Sequence, residues 1–557
     1  CVLCGRCTRV CAEVRGAEAI GRLQRGEDTL VLTAGDVPRT ETSCQFCGSC
    51  VDACPTGALS ERVNKWIGPA ERSVRSTCAF CGLGCQIELD VVGDQVIRSR
   101  PAPESALCVK GRFGVVETLL PENRVVTPMV RRDMRLVETD WETALARVVE
   151  GLSGCAQPAV FASRDLLDEE LLAARFLARD VLGTPHLDSD ARLLDGDYPL
   201  AEGTLDELRG AQRIVCVRCD LRFAHTPVFL AILAGVANGA ELCCVEPFGT
   251  DLLPHAHIVR RPLPGGEAEA VADLLDAPGT IVVWGSALAQ SDSFEACLKL
   301  FSESGAQLLP LLDGSNSRGV ADIGVEPGGG GRALPDWFAD DSPVDGLISI
   351  GHLPLGHRPP LRFWLALATS LDDATAYADV VLPAATFAEV SGHLTDMFGQ
   401  SREVNAAVPP PEDCRPVVDI VGELTARLLD LARTVGAPIR RRRHLKVRCR
   451  LMGETLLLSR EWSHFAYLGS ALTRRVPGLE PLAAEDVVRV NPADAQRLGL
   501  SDGDQVGLET ETGAVEVTVA LSPAIPAGTA RLVLRPGDEG LHGPNPCPAV
   551  FVSEHEA

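Results

Sequence analysis

The sequence predicts a multidomain protein of the α/β class with a cysteine-rich region at its N-terminal end. Its 557 residues are too many for one hydrophobic core and correspond to about three or four domains. Apolar strand-like runs alternate with helical ones from about residue 155 to about residue 430, which is typical of a doubly wound parallel sheet. Cysteine is concentrated elsewhere, since 12 of the 21 cysteines fall within the first 108 residues.

The overall charge argues against some classes of function. The formal net charge is −24, whereas a nucleic-acid binder presents a basic surface, so no nucleic-acid partner is expected. No apolar run reaches 18 residues, so we expect no membrane span in the chain itself. In a large cytoplasmic protein, so many cysteines indicate metal ligation rather than disulfides. We therefore expect a cytoplasmic protein that reaches a membrane only through partner subunits.

The first eight cysteines form two matching runs. Each run has the spacing Cys-x2-Cys-x2-Cys-x3-Cys, and the second repeats the first after 43 residues. In two-cluster ferredoxins, the fourth cysteine of each such run ligates the other run's iron–sulfur cluster. Zinc or disulfides are the alternative, although zinc sites usually pair two doublets. The runs therefore predict two [4Fe–4S] clusters, one held by Cys1, Cys4, Cys7 and Cys54 and the other by Cys44, Cys47, Cys50 and Cys11.

A third group of cysteines follows the two runs. Cys78, Cys81 and Cys85 are closely spaced, and Cys108 follows in the stretch LCVKGRFG. Between them, residues 86–100 contain two alternating strand-like runs around a Gly-Asp turn, which predicts a hairpin. We expect a third [4Fe–4S] cluster on a small sheet domain, with a zinc ribbon as the alternative.

In this order, the two runs, the third group and LCVKGRFG resemble the molybdopterin-dependent oxidoreductases. Within that family the chain resembles the large subunit of NAD-linked formate dehydrogenase and the large iron–sulfur subunit of bacterial complex I. The resemblance covers almost the whole chain. Later segments that match family landmarks are DWETALARVVEGL (140–152), ARFLARDVLGTPHLDSDARL (174–193), GSNSRGVADIG (314–324), YADVVLPAATFAEVSGHLTD (377–396) and VVRVNPADAQRLGLSDGDQVGLETETGAVEV (487–517).

The resemblance implies four structural units. They are a two-[4Fe–4S] ferredoxin domain at 1–68, a small [4Fe–4S] sheet domain at 69–124, doubly wound α/β domains at 125–436, and a six-stranded barrel of the molybdopterin-dinucleotide-binding type at 437–557. A Gly-Ala-Pro stretch ahead of the basic run 439–450 supports the last boundary. Relatives often carry a [2Fe–2S] module before the ferredoxin domain, so we expect a chain that starts on Cys1 to be truncated at its N-terminus.

The resemblance also implies a cofactor, molybdopterin guanine dinucleotide with molybdenum or tungsten. In active relatives, the lysine that corresponds to Lys110 bridges the third cluster and the pterin. Lys110 is therefore a candidate cofactor-binding residue and electron relay. The alternative is that Lys110 is a surface lysine at a turn, without a role in cofactor binding.

Several positions depart from the active relatives. Leu194 stands where they have a metal-ligating cysteine or selenocysteine, and Asp195 replaces the histidine that follows it. Asp188, Asp190 or Asp195 would need a shift of register to bind a metal. Arg218 replaces a glycine that leaves room for the cofactor. Two looser matches have Leu311–Asp313 in place of a catalytic arginine and Leu468–Ala471 in place of a His-Thr-Gly-Thr stretch. These changes predict a vestigial molybdenum site.

Other candidate residues have simpler interpretations. Cys216 and Cys219 lie in a strand-like run, whose alternation would place them on opposite faces, so we expect buried thiols rather than a redox pair. His225 is expected to be a structural histidine. No GxGxxG or Walker-type loop is present, so a separate subunit would have to bind NAD.

The sequence thus predicts an iron–sulfur electron-transfer subunit of an NADH-dehydrogenase-like or formate-dehydrogenase-like complex. Its expected partners are a flavin/NAD-binding subunit and other iron–sulfur subunits. The alternative is a catalytic formate dehydrogenase alpha subunit that oxidises formate to CO2 at molybdenum or tungsten. A scaffold without working clusters fits poorly, because all twelve predicted ligands are present.

Overall fold

The computed structural model describes most of the chain: residues 1–62, 65–103, 105–119, 124–133, 135–191, 201–339, 341–353, 359–371, 375–435, 456–462, 487–498, 500–510, 513–534 and 547–552. Within these ranges, no helix is long and apolar enough to cross a membrane. Some positions discussed above lie outside the described residues, namely Leu194, Asp195, Leu468–Ala471 and the basic run 439–450.

The N-terminal module shows the sequence repeat in its backbone. In each run a short helix begins after a glycine with left-handed backbone, Gly5 at φ 72° and Gly48 at φ 71°. Glycine suits that conformation because it has no Cβ to clash. Leu3 and Phe46, two residues earlier, also match, with φ of 51° and 48°. The helices and hairpin strands of this module are Arg6–Arg9, Ser49–Asp52, Gly21–Leu23 and Leu30–Leu32.

The third cysteine group lies on a three-stranded antiparallel sheet. The predicted hairpin is confirmed, because Gln86–Val92 pairs with Gln95–Pro101 across the Gly93-Asp94 turn. The strand Arg72–Thr77 pairs with the other side of Gln86–Val92. The side chains of Ile87, Leu89 and Val91 are fully buried, so this strand joins the sheet to the core of the protein.

A polar cluster on this sheet surrounds the buried carboxylate of Asp90. The guanidinium groups of Arg98 and Arg100 each donate to it from 2.8 Å, and the Ser73 hydroxyl donates from 2.6 Å. Burial alone would raise the pKa of Asp90, but these hydrogen bonds outweigh burial and hold the pKa well below its usual range.

Downstream, two α/β units confirm the predicted class. The first unit has a five-stranded, all-parallel sheet in the order Ile258–Arg260, Glu241–Val245, Arg213–Val217, Thr280–Trp284 and Gln307–Pro310. Its helices are Leu205–Gly210, Leu221–Ala224, Thr226–Ala237, Glu267–Val271, Ser286–Ala289 and Phe294–Ser304. Most side chains on the central strands are buried on both faces, which explains their continuous apolar runs.

The second unit has a seven-stranded mixed sheet. Its order is Arg135–Glu138, Met129–Arg132, Val380–Pro383, Phe363–Ala368, Gly346–Ile350, Pro158–Ala162 and Leu187–Asp188. Met129–Arg132 pairs antiparallel with both of its neighbours, and the other strand pairs of this sheet are parallel. The helices of this part of the chain are Val115–Thr118, Trp141–Ser153, Asp168–Phe176, Ser317–Ile323 and Val417–Val435. Since chain segments before and after the five-stranded unit build this sheet, the two units are interleaved.

The last described segments complete the architecture. A hairpin of Gly392–Thr395 and Ser401–Val404 lies beside the strand Arg72–Thr77 of the third-group sheet. Six strands then close into a barrel in the order Leu456–Trp462, Thr529–Leu534, Val487–Val490, Gly513–Leu521, Gln505–Thr510 and Cys547–Val552, with the helix Pro492–Leu498 beside them.

The buried carboxylate of Asp90 generates a stability prediction. Asp90→Asn leaves two arginines facing a neutral amide, and we expect a loss of about 1–3 kcal/mol, because both arginines are partly exposed and water screens them. The depressed pKa means that the wild-type contribution is present above about pH 4, the ordinary range for aspartate, and is lost as pH falls below it. Thermal unfolding at pH 7 and at lower pH measures both effects.

The matched control is Glu88→Gln, two residues away on the same strand and paired with Arg100 at a partly exposed position. A loss from Asp90→Asn no larger than that from the control would contradict the prediction.

Candidate metal centres and cofactor pocket

The first two cysteine runs form equivalent loops whose backbone points at sulfur. The N–H of Leu3 donates to Cys1 Sγ over 3.4 Å, and the N–H of Phe46 donates to Cys44 Sγ over the same distance. Backbone N–H groups aimed at sulfur stabilise thiolates and are a known means of tuning iron–sulfur clusters. The loops thus provide the backbone environment that a cluster requires.

Cys11, the last cysteine of the first run, lies near the second run. Burial raises the pKa of Cys50 to about 11; Arg39 opposes this rise, while the nearby thiols of Cys47, Cys44 and Cys11 add to it. The thiol of Cys44 is likewise affected by Cys11. This proximity fits the crossed ligand set expected from the sequence, in which Cys11 completes the second cluster.

Cys54, the last cysteine of the second run, has a different environment. The backbone N–H groups of Leu59 and Thr56, with a smaller contribution from Ala58, lower the pKa of its thiol to about 7. A thiol that is readily deprotonated is a suitable ligand for iron. Its assignment to the first cluster with Cys1, Cys4 and Cys7 remains a prediction.

The third group brings four cysteines together in the protein interior. Cys78, Cys81 and Cys108 are buried and Cys85 is half-buried. Burial raises the pKa of Cys78 and Cys85 well above the usual value, and each also responds to the thiols of Cys81 and Cys108. The backbone N–H groups of the second residue after Cys78 and after Cys81 point at those two sulfurs. The geometry of the first two loops is therefore repeated here.

Two kinds of metal site remain open for the third group. A zinc ion draws four ligands to one point, whereas in a four-iron cluster each thiolate binds a different iron. Within the described residues, no three His, Cys, Asp or Glu side chains stand close enough to bind one metal ion. The [4Fe–4S] cluster at this group stays a prediction, with the zinc ribbon as its alternative.

Lys110 connects the third group to the five-stranded unit. Its side chain is buried, and its ammonium lies close enough to Cys81 to lower the pKa of that thiol, against the larger effect of burial. The ammonium also donates to the backbone oxygen of Ala224 over 3.2 Å. Ala224 ends the short helix that follows the strand Arg213–Val217. Lys110 is thus not a surface residue, and it spans from the cysteines towards the pocket expected for the pterin.

A small cavity lies at the carboxyl end of the five-stranded sheet. Its volume is about 10 Å³, which is room for about one water molecule. His225 lines it and is satisfied structurally, because its Nε2 lies 3.0 Å from the backbone oxygen of Leu312. A pterin dinucleotide does not fit a space of this size. Arg218 and Arg531 also line this small cavity.

The buried side chain of Arg218 takes up space beside this small cavity. It has a left-handed φ of 52°, a conformation that favours glycine. Its side chain turns inward and pairs with Glu267 over 2.9 Å, with both side chains almost fully buried. The ring of Phe248 lies between Arg218 and Arg531 of the barrel, at 5.4 and 5.1 Å from the two guanidinium carbons. The arginine therefore occupies the interior beside the pocket.

A larger cavity, of about 110 Å³, lies at the carboxyl ends of the seven-stranded sheet. Ala79 and Phe80, from the loop of the third group, form part of its wall. The carboxyl group of Glu170 also lines it, and burial raises the pKa of Glu170 to about 7. Open sheets bind ligands at this edge, so this cavity is a candidate site for a small molecule.

The aspartates considered as metal ligands are engaged by the backbone. Asp188 accepts from the N–H of Leu334 over 2.7 Å, and Asp190 accepts from the N–H of Arg164 over 2.8 Å. Burial raises the pKa of Asp190 to about 6, although Arg164 opposes the rise. Both carboxylates therefore hold loops in place. Leu194 and Asp195 lie outside the described residues.

The prediction for Cys216 and Cys219 was wrong about their geometry. The strand ends at Val217, and the left-handed Arg218 turns Cys219 back towards Cys216. A hydrogen bond with Cys219, together with burial, raises the pKa of Cys216 well above its usual value. Alternation applies only while the strand is regular. Both thiols are nevertheless buried, as expected.

Two residues of the site were missed by sequence reasoning. Arg112 lies two residues after Lys110 in LCVKGRFG and is fully buried. The motif alone does not predict this burial. Glu170 lies in an ordinary helical run, and only the fold places it at the large cavity. No local signal in the sequence distinguishes Glu170 from the partly exposed Asp168 and Glu169 before it.

Three cysteine groups followed by two interleaved α/β units and a barrel, with cavities at the strand ends, define a class of iron–sulfur protein built around a cofactor cleft. Comparison with known families agrees. Matches are found to the ferredoxin-like domain of NADH-quinone oxidoreductase subunit 3 (residues 1–60), the molybdopterin oxidoreductase Fe4S4 domain (71–117), molybdopterin oxidoreductase (359–427) and the molybdopterin dinucleotide binding domain (457–547). The chain therefore carries the domains of the molybdopterin oxidoreductase family, as its motifs predict.

Individual relatives extend this result. NADH-quinone oxidoreductase subunit 3 of Thermus thermophilus is 27% identical, over 95% of this chain and 74% of that protein. NADPH-Fe(3+) oxidoreductase subunit alpha of Geobacter sulfurreducens is 25% identical, over 95% of this chain and 79% of that protein. A putative formate dehydrogenase of Staphylococcus aureus is 25% identical, but over only 34% of this chain and 25% of its own length.

A solved structure shows the same fold. Acetylene hydratase from Pelobacter acetylenicus superimposes with a TM-score of 0.63, covering 84% of this chain and 94% of that one, at 14% identity. At this identity the likeness concerns architecture alone.

The third group generates a testable prediction. Cys85→Ala removes one of four thiolates, so we expect iron to fall from about twelve to about eight per chain in anaerobically purified protein. Cys297→Ala is the control, because Cys297 is a buried thiol of the helix Phe294–Ser304 outside the three groups. Equal iron in both variants would exclude Cys85 as a ligand.

Proposed function

We propose that this chain is the iron–sulfur electron-transfer subunit of an NADH-dehydrogenase-like or formate-dehydrogenase-like complex. Three [4Fe–4S] clusters would carry the electrons, and the molybdopterin pocket would be vestigial. One observation carries this proposal: all three cysteine groups have well-formed loops, whereas the small cavity at the five-stranded sheet is lined by Arg218, whose side chain pairs with the buried Glu267.

The buried ion pair is a strong obstacle to a cofactor at that position. Removing one partner of such a pair leaves an uncompensated charge in the interior, at a cost of about 3–5 kcal/mol. Glu267 is held further by the hydroxyl of Ser293 over 2.6 Å and by the N–H of Gly265 over 2.9 Å. A ligand that entered the small cavity would have to displace this network.

The residues around the cysteines are suited to electron transfer. When bound, the clusters supply one-electron redox chemistry. The chain holds their thiolates, excludes water from the third group by burial, and points backbone N–H groups at sulfur. Lys110 places a buried positive charge beside the third group, where it would favour the reduced state of that cluster.

The identity of the partners follows from what the relatives are called and from what this sequence lacks. The relatives that cover most of this chain are named as subunits of NADH-quinone and NADPH-Fe(3+) oxidoreductases. The sequence has no GxGxxG loop. We therefore propose a flavin/NAD-binding subunit and further iron–sulfur subunits as partners, in a complex that is cytoplasmic or attached to a membrane through those partners.

A second candidate function is catalysis at molybdenum or tungsten by a formate dehydrogenase alpha subunit. It is favoured by the position of Lys110 and by the larger cavity, where Glu170 has a pKa of about 7 and suits proton transfer. In this alternative, molybdopterin guanine dinucleotide would bind at the ends of the seven-stranded sheet, although a cavity of about 110 Å³ accommodates only part of it.

Metal content distinguishes the two functions. In anaerobically purified protein from metal-replete cells, elemental mass spectrometry should find about twelve irons per chain and neither molybdenum nor tungsten. About one molybdenum or tungsten per chain, with formate-dependent dye reduction, would instead establish the catalytic alternative. Iron far below twelve would refute the three-cluster relay.

A further inference from the structure

Arg112 is a charged residue of the motif LCVKGRFG to which the proposed function assigns no task. It lies four residues after Cys108, and its backbone N–H donates to the Cys108 oxygen over 3.1 Å. Its side chain is completely buried and reaches away from the third group into the N-terminal module. A buried guanidinium is costly unless it has specific partners, so its contacts indicate a role.

Those contacts are with the second cysteine run. The two terminal nitrogens of Arg112 donate to the two carboxylate oxygens of Asp52 over 3.0 and 2.7 Å. Asp52 stands between Cys50 and Cys54 in the chain. Glu61 approaches the same guanidinium to 2.5 Å. Two parallel hydrogen bonds fix orientation as well as distance, so the loop around Asp52 cannot shift relative to Arg112.

The remaining N–H of the guanidinium faces the loop of the second cluster. Gly48, between Cys47 and Cys50, lies so close that a Cβ there would be 2.6 Å from Arg112 Nε. This Nε is buried and has no hydrogen-bond acceptor among the described protein atoms. Buried donors nearly always have an acceptor. Sulfur of a cluster held by this loop is the acceptor that the loaded protein would add.

Arg15 forms a second tie between the same two loops. It donates to the backbone oxygen of Leu107 over 2.9 Å and to the side-chain oxygen of Gln45 over 3.1 Å. Leu107 precedes Cys108, and Gln45 follows Cys44. The second and third cysteine groups are therefore joined at two points, each by a buried arginine.

We propose that Arg112 is a positioning residue for electron transfer, which holds the second cluster's loop against the third cluster's loop and donates its Nε–H to second-cluster sulfur. The inference rests on the proposed function, because it requires both clusters. Arg112 thereby sets the distance between the two clusters and raises the reduction potential of the second, since hydrogen bonds to sulfur stabilise the reduced state.

The test compares Arg112→Lys and Arg112→Gln with the wild type. Lysine keeps the positive charge but cannot make two parallel hydrogen bonds. Glutamine loses the charge as well as the two parallel hydrogen bonds. We expect about twelve irons in each variant, with a more negative midpoint potential for the second cluster and weaker magnetic coupling between the second and third clusters in EPR spectra. Freeze-quenched samples should show severalfold slower electron transfer to the third cluster. Glutamine should have the larger effects.

Arg124→Lys is the matched control. Arg124 makes a similar buried bidentate pair, with Glu389, but its partner lies in no cysteine group, so this variant should leave the coupling and potentials unchanged. Asp52→Asn is a second variant that loosens the tie without altering the third group's loop, and it should weaken the coupling.

The outcomes separate this inference from the proposed function. If the wild type lacks the clusters, the proposed function fails and the inference fails with it. If the wild type has all three clusters but the variants at Arg112 and Asp52 keep its coupling and potentials, only the role of Arg112 is refuted. Loss of the second cluster's iron in every one of these variants would also refute it, because Arg112 would then serve assembly rather than positioning.

Discussion

Four cysteine sulfurs that share one interior volume can be thiolates only if positive charge lies among them, and much of this structure depends on that constraint. Burial keeps the free thiols of Cys78, Cys81 and Cys85 protonated, since their pKa values are all raised. Iron would bind them as thiolates and supply the charge. The buried ammonium of Lys110 is a further cation that lowers the pKa of these three thiols. Burial and Lys110 therefore act in opposite directions on the protonation of these thiols.

The loop of this third group is also where the parts of the protein meet. Gly82 donates its N–H to Leu312, beside the five-stranded sheet, and accepts from the N–H of Met397, near the Gly392–Thr395 hairpin. Lys110 reaches Ala224, and Arg112 reaches the N-terminal module. The contacts that join the domains are thus the contacts that line the proposed electron path. Loosening one of them would affect both assembly and electron transfer.

The two α/β units differ in how much room they leave for a ligand. At the seven-stranded sheet a cavity of about 110 Å³ remains, whereas at the five-stranded sheet Arg218 and Glu267 fill the interior and about 10 Å³ is left. Arg218 adopts a backbone conformation that glycine prefers, and its side chain brings one half of this buried pair into the interior. The architecture can therefore persist while its chemistry changes, as is common among widely used folds.

Local patterns in the sequence determined which elements form and which residues are candidate ligands. Cysteine spacing, the Gly93 turn and the apolar runs involve neighbours in the chain, so their outcome is set by short-range geometry. Only the tertiary structure decided which distant groups meet. Arg112 contacts Asp52 and Arg218 contacts Glu267, both far away in the chain. Cys219 turns towards Cys216 because the strand ends at Val217 and Arg218 has left-handed backbone. Burial and pairing of charges depend on all surrounding elements together, and no local pattern encodes them.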